Sequence, residues 1–230
     1  MKLSIIIISF KSDHLLENLL SKIPNKHEII IIENSLQIKL KKKIEKKYKN
    51  SKVIIPKKNL GYAAAFNKAF KISKNKFLVT MSPDVKIEKN LITNIENLLK
   101  KFKNFILVAP DYKNKKIYKN YSPVFNDNKF LKVNNYKLIK VKEIDWCFCI
   151  LNKSKFKRFK ILDENYFLYF ETTDLCKKLF LDKKDMFIVK NFKFDHIGTS
   201  STDNKYKDEI KINRNWHFSW SKFYYYKKNY

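Results

Sequence analysis

The chain has 230 residues, 44% hydrophobic and 31% charged, which suits one α/β domain with a full core and excludes a disordered chain. The formal net charge is +28, but the lysines are spread along the whole length among abundant Asn, Ile, Phe and Tyr, as AT-rich coding gives, so charge alone does not select nucleic acid or membrane. The two glycines, Gly61 and Gly198, rule out a GxGxxG fingerprint, a Walker A loop and a GxSxG elbow, and no apolar run reaches the roughly 20 residues that span a bilayer.

Residues 3–9 are an isoleucine-rich run after a lone Lys2. The run is short for a signal peptide and no small-residue cleavage site follows, so it reads as a buried first strand of a cytoplasmic protein. Asp13 stands where a helix N-cap would, ahead of Leu15, Leu16, Leu19 and Leu20 at helical spacing. Residues 28–32 read as a second buried strand, 38–48 as a Lys-rich helix and 52–55 as a third strand. A helix follows over 61–72, a fourth strand over 77–81, a helix over 91–102 and a strand over 105–109. Alternation of this kind predicts a Rossmann-like, mostly parallel sheet with helices on both faces. Ligands of such sheets bind outside the carboxyl ends of the strands, where Ser9, Glu33 and Asp84 converge.

The alternation fails after Pro110. Residues 111–138 are polar and read as a loop with a hairpin; 141–151 read as one strand containing Trp146. An aromatic turn over 163–170 leads into Glu171-Thr172-Thr173-Asp174 and a helix over 175–181. Short strands over 186–189 and 192–194 precede His196-Ile197-Gly198, and a last helix is expected over 205–227. Cys147, Cys149 and Cys176 are odd in number with no CxxC spacing, which points to buried thiols rather than disulfides or zinc.

In order, Ser4-Ile5-Ile6-Ile7-Ile8-Ser9-Phe10, Ile31-Ile32-Glu33-Asn34-Ser35, Asn59-Leu60-Gly61-Tyr62 with Asn67, Ser82-Pro83-Asp84-Val85, Asp163-Glu164, Phe167-Leu168-Tyr169-Phe170-Glu171, Asp174-Leu175, and His196 with Gly198 form a set. That set resembles the family-two glycosyltransferases, and the whole chain resembles their rhamnosyltransferase-like branch. The resemblance implies a GT-A fold over 1–200, with a nucleotide-binding half (1–110), an acceptor half (111–200) and an aromatic-basic helical extension (201–230). It implies an inverting transferase that takes a sugar from a UDP- or dTDP-sugar with the help of Mn²⁺ or Mg²⁺.

By this resemblance Ser82-Pro83-Asp84 matches the family's metal motif, in which one carboxylate suffices when a diphosphate supplies the remaining oxygens; otherwise Asp84 merely caps a turn. His196 matches a late histidine of the metal shell, although a lone His is often structural. Ser9, Glu33, Asn59, Gly61 and Asn67 match nucleotide-sugar contacts, with Glu33 standing where the family usually has Asp. Gly61 opens a helix whose free N–H groups would favour an anion. Glu171 and Asp174 match the family's Glu-Asp-x-Asp acids, with Thr172 in place of the Asp; either could be the general base, Glu171 with Asp174 orienting being the preferred assignment. Trp146 matches an aromatic bordering the acceptor, and is equally a core residue type.

The acceptor implied is a cell-surface polysaccharide or a lipid-linked glycan. The aromatic-basic tail over 222–230 suits peripheral attachment at the inner face of the cytoplasmic membrane. Two other functions stay open. A basic nucleic-acid-binding protein fits the charge, although no nucleic-acid-binding motif is present. A catalytically impaired nucleotide-sugar binder fits Thr172 and Glu33.

Overall fold

The computed structural model describes residues 1–113, 119–125, 130–196 and 206–230. Gly198, parts of the polar stretch over 111–138 and the expected start of the last helix at residue 205 lie outside them. In chain order the elements are β1 (Ser4–Ser9), α1 (Asp13–Leu20), β2 (Glu28–Glu33), α2 (Ile38–Lys47), β3 (Ser51–Ile54), α3 (Gly61–Ile72), β4 (Phe77–Met81), β5 (Val85–Lys86), α4 (Leu91–Lys101) and β6 (Leu107–Tyr112). They continue with β7 (Tyr121–Pro123), β8 (Leu131–Val133), β9 (Tyr136–Ile144), β10 (Phe148–Asn152), α5 (Glu171–Leu181), β11 (Met186–His196) and α6 (Lys207–Asn229).

The expected three-layer α/β fold is present. The strands run in the order β3-β2-β1-β4-β10-β6-β11-β9-β7. The first four are mutually parallel, as are β6 and β11. Strand β10 is antiparallel to both neighbours, and β9 is antiparallel to β11. Successive side chains of a strand face opposite sides of the sheet. Accordingly Ile5 and Ile7 of β1 join one core with Leu16, Leu40 and Leu98 of α1, α2 and α4, while Ile6 joins a second core with Phe66 of α3 and Leu175 of α5. The unbroken isoleucine runs are therefore required by burial on both faces.

Three local expectations change. The cap of α1 is Ser12, with Asp13 in the first turn. The apolar run over 141–151 is two strands running in the same direction, with Trp146 in the break between them. That break is fixed by polar contacts that no Gly or Pro announces: Asp145 N–H donates to Asn120 O at 2.8 Å, and Cys147 N–H donates to Asp145 Oδ1 at 3.0 Å. The two short strands near the end are one strand, β11, with a register shift between Val189 and Lys193. All three cysteines are free and buried, as expected.

Asn67, expected at the nucleotide, is built into the fold instead. Its Nδ2 donates to Leu162 O at 2.8 Å and to Glu164 Oε1 at 3.0 Å. Its Oδ1 accepts from Ile161 N–H at 3.0 Å and Leu162 N–H at 3.1 Å. Two donors and two lone pairs are all that a carboxamide has, so no capacity is left for a ligand. Replacing Asn67 by Ala would orphan several backbone groups of the chain leading to α5, at about 2–4 kcal/mol of stability. Chemical denaturation should show that loss, while nucleotide affinity, measured below the melting range, should change less than about threefold if Asn67 acts only on the fold.

Candidate active site

The carboxyl ends of β1, β2 and β4 and the head of α3 border a cleft of about 450 Å³, lined among others by Phe10, Asn34, Asn59, Gly61, Tyr62 and Ser82. Helix α6 closes it from above with Ile210, Asn213, Arg214 and His217. Gly61 has φ +71°, and a Cβ there would collide with the carbonyl oxygen of Phe167, so only glycine fits. The anion-binding role expected for the head of α3 is corrected by its hydrogen bonds. Gly61 N–H donates to Asn59 Oδ1 at 3.0 Å and Tyr62 N–H donates to Phe167 O at 2.7 Å. These first donors of the helix are already taken.

Ser9 and Glu33 sit opposite each other in the β1–β2 register, both fully buried. Ser35 N–H donates to Glu33 Oε1 at 2.7 Å, while Glu33 Oε2 and Ser9 Oγ have no hydrogen-bond partner. At this level the cleft wall is formed by Ile8 and Asn34. Asn34 braces the turn ahead of α3, donating from Nδ2 to Gly61 O at 3.0 Å.

Asp84 is buried just past the end of β4. Strand β5 starts at the next residue and pairs with the end of β11, with Val85 opposite His196. This two-residue ladder carries His196 Nε2 to 3.2 Å from Asp84 Oδ1, the pairing expected from the resemblance. Burial disfavours the imidazolium of His196, but the Asp84 carboxylate outweighs it and the pKa is raised. The buried Asp84 Oδ1 has no well-aligned hydrogen bond. Ligands at about 2.1 Å from one octahedral cation lie about 3.0 Å apart on a cis edge, so the Asp84–His196 spacing fits a shared Mn²⁺ or Mg²⁺. Among the described residues no three His, Cys, Asp or Glu side chains form a metal cluster. The remaining ligands of such a cation would have to come from phosphate and water.

Glu171 opens α5 on a separate pocket of about 480 Å³, shared with Asn120, Tyr121, Asp145, Tyr169, Thr172 and Phe218. The two residues ahead of it, Tyr169 and Phe170, both have left-handed backbones, at φ 71° and 64°. For non-glycine residues this is strained by about 1–2 kcal/mol each. Helix α6 holds them there: Phe218 packs on both rings and Tyr225 on Phe170. The strained turn aims a buried carboxyl whose Oε2 has no partner. Burial pushes the Glu171 pKa up to about 7, with the negative charge of Asp145 adding to it.

Asp174 does not share that pocket. It accepts from Lys228 at 2.8 Å, Asn229 at 2.9 Å and the Tyr166 hydroxyl at 3.3 Å. Lys228 also reaches Asp163 at 2.8 Å. The acids that sequence spacing put on one side of the helix are thus parted, because three residues of helix carry Asp174 about 4.5 Å further along, to the last turn of α6. Trp146 is buried against Phe66, ring centroids 5.3 Å apart, as a core residue rather than an open stacking face.

Sequence reasoning missed Asp145, Arg214 and His217. Asp145 is within electrostatic reach of both Glu171 and His196. Its position at a strand end just ahead of Trp146 was the available signal. Arg214 is one of two arginines, Arg158 being the other, in a chain whose cations are otherwise lysines, and its planar fork is suited to phosphate.

A family model described as glycosyl transferase family 2 matches residues 4–159. The low-salt glycan biosynthesis hexosyltransferase Agl10 of Haloferax volcanii is 24% identical over 187 residues, covering 76% of this chain and 60% of that protein. The fold is similar to a mannosyltransferase of Pyrobaculum calidifontis in complex with GDP-Man and Mn²⁺, with TM-score 0.66, 10% identity, and coverage of 94% of this chain and 61% of that one. It is also similar to GalNAc-T7 with UDP, GalNAc and Mn²⁺, with TM-score 0.67, 13% identity, and coverage of 85% and 43%.

The state of Glu171 has a measurable sign. Its folded pKa of about 7 lies above the ordinary value of 4.5, so the folded chain holds the proton more tightly. Stability is therefore lost as pH rises from the unfolded to the folded value. Glu171→Gln removes that loss and should stabilise the protein at about pH 8, by up to about 3 kcal/mol, with little gain at about pH 5. Thermal melts of both proteins at the two pH values check this; an equal shift at both would contradict a buried, titrating carboxyl.

Proposed function

The chain belongs to glycosyl transferase family 2, and from that premise we propose that it moves a hexosyl or rhamnosyl group, with inversion, from a UDP- or dTDP-sugar to a polysaccharide or lipid-linked glycan. The observation that carries the proposal is the division of the site. A carboxylate–imidazole pair lies at the strand ends, a separate buried carboxyl opens α5, and Asp145 feels both. Donor activation and acceptor deprotonation need such a division, because one site must hold a diphosphate and the other must hold a base without its own counter-ion.

In this reading Asp84 and His196 hold Mn²⁺ or Mg²⁺. Once bound, the cation would neutralise charge developing on the leaving diphosphate. Arg214, on the roof of the cleft, presents its guanidinium to the same phosphates. Glu33 and Ser9, fully buried behind the wall that Ile8 and Asn34 form, would support the base-binding side of the cleft rather than touch the nucleotide. Glu171 takes the proton from the acceptor hydroxyl as that oxygen attacks the anomeric carbon. A base with a pKa of about 7 is half ionised near neutral pH and still basic enough to accept a proton. Asp174 fixes α5 against α6 and so orients Glu171 indirectly. Thr172, at the position where the family usually has Asp, then does not disable the site, because Glu171, unlike Asp174, lines the pocket.

A panel of nucleotide sugars with Mn²⁺, read by nucleoside diphosphate release, tests the proposal. One UDP- or dTDP-sugar should give release that chelation abolishes, and Asp84→Ala should lower it a hundredfold or more, since a metal of this kind supplies several kcal/mol. Donor binding without release for every sugar and acceptor would favour the impaired-relative reading. Absence of donor binding, with tight salt-sensitive binding to DNA, would contradict the proposal.

A further inference from the structure

Helix α6 has two faces, and the site uses only one. Its inner seam is Ile210, Arg214, His217, Ser221 and Tyr225, spaced by three and four. His217 stacks on Phe167 at 4.3 Å, Ser221 donates from Oγ to Leu168 O at 2.8 Å, and Tyr225 packs on Phe170. The outer seam follows the same period through Ile212, Trp216, Trp220, Phe223, Tyr226 and Tyr230. These side chains are 72%, 62%, 46%, 58%, 52% and 86% exposed. Trp216 stacks on Trp220 with centroids 6.4 Å apart, and Trp220 meets Phe223 at 6.0 Å, so the rings form a continuous ridge in solvent.

Aromatic rings in such a ridge need an occupant, and charge narrows the choice. From residue 210 to residue 230 there is no Asp or Glu, and Lys211, Lys222 and Lys227 are exposed, while Lys228 is held by Asp163 and Asp174. On the helical wheel Lys211 and Lys222 flank the ridge and Lys227 lies within it. Trp and Tyr beside lysines on one helix face match the headgroup layer of an anionic bilayer, where amphipathic rings sit at the interface and cations meet lipid phosphates. Among the described residues no helix is long and apolar enough to cross a membrane, so the geometry is that of a helix lying on the surface.

We infer that the outer face of α6 docks on an anionic lipid bilayer. The inner face of the same helix closes the donor cleft and clamps the turn ahead of Glu171. Docking therefore sets the reacting site beside the surface that would carry a lipid-linked acceptor. The inference rests on the proposed transfer only for its purpose; the docking itself needs no sugar, nucleotide or metal.

Flotation of the whole chain with phosphatidylcholine vesicles, with or without about one-third phosphatidylglycerol, tests it. The protein should float with the anionic vesicles at low salt and lose that partition by about tenfold or more in neutral vesicles or high salt. Trp216→Ser with Trp220→Ser and Phe223→Ser, and separately Lys222→Glu with Lys227→Glu, should each cut anionic flotation about tenfold. Both sets lie on the exposed face, so unchanged circular dichroism and melting are expected; the lysine pair serves if the aromatic set perturbs folding. Wild-type protein that stays with the soluble fraction, or variants that float like wild type, would overturn the inference. A wild-type dimer in sedimentation that the aromatic variant splits, with no flotation by either, would overturn it in favour of a second copy as the occupant.

Discussion

The parallel pairing of β1 with β2 on one side and β4 on the other decides where everything else can be. Ile5, Ile6 and Ile7 are fully buried, two facing one core and one the other. A one-residue slip would exchange the faces and break both cores. The register is therefore tightly fixed, and it brings Ser9 opposite Glu33 and the end of β4 to the same edge. From that edge the chain needs only the turn at Ser82 and two residues of β5 to set Asp84 beside His196. The Asp84–His196 pair is a consequence of strand register, assembled from residues 112 positions apart in sequence.

The second constraint comes from the end of the chain. The segment from Phe167 to Phe170 is held between the head of α3 and helix α6. Tyr62 N–H holds Phe167 O from below, while His217 and Ser221 hold it from above. This clamp stabilises two strained residues and points Glu171 into its pocket. Asp174 and Asp163 then lock the last turn of α6 through Lys228. Helix α6 accordingly lines both pockets of the candidate site.

The parallel half was readable in the sequence because burial on both faces demands unbroken apolar strands and short alternating connections. The pairing of Asp84 and His196 was readable only through ordered motifs, since no local pattern links them. What stayed hidden shares a physical cause. The break between β9 and β10 at Asp145 rests on a long-range hydrogen bond to Asn120, without Gly or Pro to mark it. Asn67 has the residue type of a ligand contact, yet its carboxamide is fully used by groups nearly a hundred residues away, whereas Asn59 lines the cleft while accepting from Gly61 N–H. The separation of Glu171 from Asp174 depends on what α6 offers each of them, which helical spacing inside α5 cannot encode.

The central claim is that Asp84 and His196 form a cation site completed by a nucleoside diphosphate. Electron paramagnetic resonance of Mn²⁺ added to the protein with UDP or dTDP tests it most directly. If the proposed site holds the cation, bound Mn²⁺ is coupled both to phosphate phosphorus and to one imidazole nitrogen, the nitrogen coupling disappearing in His196→Gln. A wild-type spectrum with no imidazole coupling, or the same spectrum and affinity in His196→Gln and Asp84→Ala as in wild type, would contradict it.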